Sequence, residues 1–279
     1  MPAAQIAQNL AFINWTVLTG LALGTYAAVI LLRRRSTATR GYLGFVTICA
    51  VAFGLLAWLS DGALPTTLGT SPVALDPAWD GPRRAALLAF CALAALALVA
   101  RRVRPGVARP LEVLAAAAGL LTLAAGAFAW GGGSLGTLGL LVELAALCAA
   151  TGGVFAAMIL GHWYLVTPKL PEAPLILLSR ALLAVVGVQL LLFVAWVATG
   201  AGPAAGAPFS ALTGEWALFV WLRLIVGLLF PLIVCWAALQ TARSRSMESA
   251  TGLLYINVGT IAAGTILAAG LYFGAGLLV

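Results

Sequence analysis

Charge is what this chain has least of. Only 8% of its 279 residues are acidic or basic, while 63% are apolar; a soluble globular domain carries about 25% and about 45–50%. So few ionisable groups cannot cover a soluble surface of this size. Histidine occurs once, at His162, so bis-histidine coordination of a haem within the chain is excluded. Haem is not expected here, and His162 as a lone ligand would need a partner chain or an open sixth position. Cys49, Cys91, Cys148 and Cys235 stand singly in separate apolar stretches, without the paired spacing of a zinc site or a disulfide framework. They read as small apolar residues, and no metal is expected. Sustained charged heptads are missing, which excludes a coiled coil. The net charge of +7 does not indicate a nucleic-acid binder. Its basic residues form short runs at the ends of apolar stretches and no continuous stripe.

What the chain does have is long apolar runs. Stretches of about 20 residues, enough to cross a bilayer, occur at 10–32, 41–60, 85–100, 111–130, 135–166, 175–199, 216–240 and 250–278. The expected fold is an all-α integral membrane protein, a single polytopic domain (1–279) of about eight transmembrane helices. The third run is the shortest and has room to extend back through Arg83 and Arg84, while the fifth and eighth exceed the bilayer and call for tilt or protruding ends. Met1 to Asn9 carries no basic residue and no cleavage-like site follows, so the first span is expected to be retained.

Basic residues set the orientation. Arg33, Arg34, Arg35, Arg40, Arg101, Arg102, Arg104, Arg109, Lys169, Arg243 and Arg245 follow the odd-numbered spans, against Arg83 and Arg84 on the other side. The positive-inside rule then places both termini on the outer (periplasmic or extracellular) face. The bacterial cytoplasmic membrane is the expected location, with the lipid bilayer as an obligatory partner. Trp15, Trp58, Trp79, Trp130, Trp196, Trp216 and Trp221 fall near outward ends and Trp163 and Trp236 near inward ones. That is the placement of an interfacial belt, with an excess outside that leaves room for an aromatic-lined pocket.

Thr16, Gly20, Gly24 and Ala28 recur every four residues, as do Gly270 and Gly274; such stripes let helix backbones approach closely. The longest connections, Ser60–Pro82 and Gly200–Glu215, are rich in Pro and Gly and read as extended or capped outer loops. Neither is long enough for an iron–sulfur, nucleotide-binding or cytochrome c domain, so such machinery would reside on another chain.

Two sets of polar residues lie inside apolar runs, where an ionisable group is a functional candidate by default. Towards the inner face, His162, Tyr164 and Arg180 meet the start of the eighth span with Glu248, Thr251, Tyr255 and Asn257. An imidazole, phenols, a guanidinium and an amide suit the carbonyl oxygens of a quinone headgroup, and a titratable group can exchange its proton. The plainer reading has His162 and Tyr164 at the interface and Arg180 on a lipid phosphate. Towards the outer face, Glu143, Arg223 and Gln189 enter three different spans. Unpaired, each charge would be costly, so a Glu143–Arg223 pair with Gln189 nearby is expected, as a structural pair or as part of a substrate or proton path. Pro231 cannot donate to the Gly227 carbonyl, which predicts a kink in the seventh span.

Eight spans, outward termini and the absence of a soluble domain resemble the membrane anchors of DMSO-reductase-type oxidoreductases. Trp221-Leu222-Arg223 and the apolar run after it are compatible with that architecture, from which no site residue is carried over. The expected role is a membrane anchor of a respiratory or electron-transfer complex, in contact with other redox subunits and with quinone. The alternatives are a secondary transporter or channel with a Glu143–Arg223–Gln189 relay, and an accessory subunit without a ligand. A catalytic residue is not identified, and a quinone-reactive or non-catalytic subunit fits better than a stand-alone enzyme.

Overall fold

Apolar runs of this length must satisfy their backbone hydrogen bonds internally, so helices are the outcome. The computed structural model describes residues 1–167, 169–204 and 206–279, and these contain helices and no strand. A short α1 (Pro2–Gln8) precedes α2 (Leu10–Arg35), α3 (Arg40–Asp61), α4 (Asp80–Val103), α5 (Pro105–Trp130), α6 (Ser134–Val166) and α7 (Ala173–Thr199). The seventh span is composite: α8 (Ala217–Leu224), a π-helical turn (Ile225–Leu229) and α9 (Phe230–Arg243). The eighth is α10 (Met247–Ala275). All eight spans are long and apolar enough to cross a membrane.

The helix α2 sits at the centre, packed on α3, α5, α6 and α10. Its stripe of small residues explains why. Gly24 lies against the Cys148 and Gly152 backbone of α6 with no room for a Cβ, and the Thr25 hydroxyl donates to the Gly152 carbonyl at 3.3 Å. The later glycines serve side chains instead: Gly270 meets Ile6 and Ile13, and Gly274 meets Trp216.

Short connections hold the arginine-rich end together. Between α2 and α3 the Ser36 hydroxyl accepts from the Ala38 N–H, and Thr39 caps the Tyr42 N–H. Between α4 and α5 only Arg104 intervenes, and Pro105 starts the next helix, where its missing N–H costs nothing. At the opposite end the long connection after α3 folds back onto the helices. Leu68 and Val73 are buried, the Asp76 N–H donates to the Ala129 carbonyl, and Trp79 stacks on Phe128 at 4.6 Å.

Not every tryptophan faces outward from the bundle. Trp15 and Trp130 are fully buried and meet edge-to-face at 4.8 Å. They enclose Arg83, whose guanidinium carbon stands 4.7 Å from the Trp130 ring centre and 5.9 Å from that of Trp15. The charge explains their position, since the ring faces stabilise a cation removed from water. Trp221 and Trp236 are exposed on the flanks.

Candidate functional site

In an apolar bundle the informative residues are the charges, and three buried groups of them are present. The first lies on the seventh span. Arg223 is buried, with its Nη2 3.8 Å from Glu143 Oε1 on α6. Its Nη1 donates to the Gly227 carbonyl at 3.3 Å, and its Nε to the Val279 main-chain oxygen at 3.3 Å. The expected pair is thus in place, and the kink expected at Pro231 takes a specific form. The helix widens into a π turn, closed by the Phe230 N–H on the Ile225 carbonyl. Arg223 then supplies the Gly227 oxygen that Pro231, lacking an N–H, cannot serve. Room for the wider turn comes from α10: a Cβ on Gly264 would stand 2.7 Å from the Gly227 Cα. Among the described residues, Glu143 Oε1 and Gln189 Nε2 are buried and have no hydrogen-bond partner, as is also true of the Trp15, Thr19, Tyr26 and Ser179 side chains. Such atoms are rare in native interiors and mark a place where a polar ligand or water would be stabilised.

The second group joins Asp61, at the end of α3, to Arg83 of α4. Arg83 Nε donates to Asp61 Oδ2 at 2.7 Å and its Nη2 to Oδ1 at 3.2 Å, in fork-to-carboxylate geometry. Asp80 accepts from Nη1 at 2.8 Å. A cavity of about 230 Å³ opens beside this pair, lined among others by Phe12, Trp130, Asp76 and Arg84. In the sequence Arg83 stands at the edge of an apolar run, where it reads equally as an outer-loop residue or as the start of the span. The signal that could have found it is Asp61 at the matching end of the preceding span.

The third group is at the arginine-rich end. Glu112 of α5 accepts from Arg33 of α2 and from Arg101 of α4, the latter at 2.6 Å to Oε2. Glu112 is buried, and its two partners come from different helices. It was not singled out in the sequence because it sits among the arginines at the entry to a span. A carboxylate embedded in a basic run is itself the signal.

The residues expected to gather towards the inner face do not form one cluster. His162 Nδ1 and the Tyr255 hydroxyl lie 3.5 Å apart on the exposed flank of α6 and α10. Gly161 brings those helices together, because a Cβ there would stand 2.7 Å from the Thr251 hydroxyl, one turn before Tyr255. Tyr164 turns inward and donates to the Pro171 carbonyl. Asn257 is buried and points to α9, where its amide reaches Cys235 Sγ at 3.0 Å, while its oxygen accepts from Thr260. Arg180 is exposed and Glu248 is exposed. Of the expected set, the structure therefore joins His162 with Tyr255 and directs Tyr164 and Asn257 elsewhere.

Comparison with known proteins adds no identity. No protein-family model, no curated protein and no solved structure matches this chain.

Proposed function

We propose that this integral membrane protein is the membrane anchor of an electron-transfer complex. In this reading its arginine-rich end faces the cytoplasm of a bacterium and both chain ends lie outside, as the distribution of basic residues favours. The observation that carries the proposal is how the interior charges are disposed. Asp61, Glu112 and Glu143 each face an arginine on another helix, which ties spans together and suits a scaffold. None of the connections is long enough to hold a soluble redox domain, so in this reading such a domain would be supplied by another subunit. Quinone would be met at the flank, where the His162 and Tyr255 side chains are reachable from the lipid and can bond its carbonyl oxygens. Isolation from native membranes tests the proposal. Copurification with a redox subunit or with quinone is the expected result. Recovery of the chain alone, without either, overturns it.

A second reading is favoured by one observation. Glu143 Oε1 and Gln189 Nε2 are buried and unmatched, and the Glu143–Arg223 separation of 3.8 Å is loose for a charge-assisted hydrogen bond. A transporter or channel would place its polar substrate, or a relayed proton, at these atoms. Flux into liposomes containing the purified chain, abolished by Glu143→Gln, would establish that reading in place of the first.

A further inference from the structure

A cavity of about 980 Å³ lies at the arginine-rich end, between the α2–α3 and α4–α5 connections. Six guanidiniums line it: Arg33, Arg34, Arg40, Arg101, Arg102 and Arg109. The one lining carboxylate, Glu112, is already engaged by Arg33 and Arg101. Among the described residues, Arg34, Arg40, Arg102 and Arg109 have no carboxylate partner. The inner wall is apolar, with Ile30, Leu43, Leu98 and Val113 contributed by four different helices.

Four like charges held around one hollow repel each other, and a bound anion relieves that repulsion. Guanidinium forks match phosphate oxygens in pairs, so the bound groups would be phosphates. Arg33 and Arg101 are held on Glu112 before any ligand arrives, and the helix ends that carry the remaining arginines are joined by a single residue or by a connection capped at Ser36 and Thr39. The volume far exceeds that of one phosphate, and the apolar wall continues the site towards the bilayer. We infer that this cavity binds a ligand bearing two or more phosphate groups, its charge on the four free arginines, with Ile30 and Leu98 positioned to meet acyl chains where the ligand is a lipid. The ligand could come from the membrane, as a diphosphate-bearing lipid headgroup, or from solution, as a free polyphosphate.

The test uses the full chain purified in detergent, with native mass spectrometry and thermal unfolding as readouts. The probes are cardiolipin, which carries two phosphates, phosphatidylcholine, and inorganic pyrophosphate. Cardiolipin or pyrophosphate should bind and raise the unfolding temperature where phosphatidylcholine does not. The double variant Arg102→Gln/Arg109→Gln should weaken that binding by roughly tenfold or more, the worth of one lost charge-assisted contact. Both residues are exposed, so the variant should fold. Arg243→Gln, at the end of α9 and outside the cavity, should change nothing. Binding of cardiolipin that pyrophosphate cannot displace identifies a lipid site, and binding of pyrophosphate alone identifies a soluble ligand. Two results overturn the inference: neither phosphate probe binding better than phosphatidylcholine, or Arg243→Gln weakening binding as much as the double variant.

Discussion

The Arg223 guanidinium donates to the carbonyl of Gly227, the acceptor that Pro231 leaves unserved four residues on. One side chain therefore repairs its own helix and faces Glu143 across the bundle. Removing Arg223 would expose two defects at once, a stranded carboxylate and an orphaned carbonyl.

That arrangement sets an order for the variants. Arg223→Leu and Glu143→Leu should each lower stability by roughly 3–5 kcal/mol, because each leaves a buried charge alone. The double variant should be milder than Arg223→Leu. Unfolding of the four proteins in detergent, treated as a double-mutant cycle, measures the coupling. A double variant whose loss equals the sum of the single losses would mean that the two side chains are independent.

The π turn depends on bare backbone in α10. Gly264→Ala should destabilise the protein, since the new Cβ would meet the Gly227 Cα at 2.7 Å and the Arg223 Nη1 at 2.9 Å. Gly259→Ala on the same helix should be neutral or stabilising by up to about 1 kcal/mol, because alanine is the better helix former and nothing lies within 4 Å of its Cβ. Equal shifts in unfolding temperature would show that the close approach carries no weight.

The Asp61–Arg83 pair is enclosed by Trp15 and Trp130, and Asp80 reaches Arg83 from the exposed side. Asp61→Asn should therefore cost several kcal/mol, as for other broken buried pairs. Asp80→Ala should cost about 1 kcal/mol or less, as for exposed ones. Thermal unfolding separates the two, and comparable losses would contradict the difference in burial.

Sidedness is checked by impermeant-maleimide labelling of single cysteines in a chain whose four native cysteines are replaced. Thr37 and Ser244 should react together from the cytoplasmic side, and Thr67 and Ser210 together from the other; all four are exposed. An exchange between the pairs would overturn the proposed orientation.

The eight helices were legible in the sequence because length and apolarity alone decide them. The Glu143–Arg223 pair was legible too, since both are single charges deep in apolar runs on the same side. Azimuth was not. Helices such as α6 and α10 are apolar on every face, so no periodicity separates the face that meets lipid from the one that meets protein. Hence Asn257 and Tyr255, two residues apart, could not be assigned to opposite sides, though one is buried on Cys235 and the other exposed beside His162. Arg83 and Glu112 were obscured for another reason. Both sit at the ends of runs, where a charge reads as a loop residue and its partner on another helix is invisible.

The packing of Gly24 against Gly152 also has a consequence in time. The hydrogen bond from Thr25 to Gly152 joins residues 127 positions apart, so α2 is made long before the helix that fills its groove. At about 5–20 residues per second, the ribosome needs roughly 6–25 s to complete that interval. Throughout it, the small-residue face of α2 must rest against lipid or against an assembly factor. Slowed synthesis between α3 and α6 should therefore lower the yield of folded protein without altering the stability of the molecules that do fold.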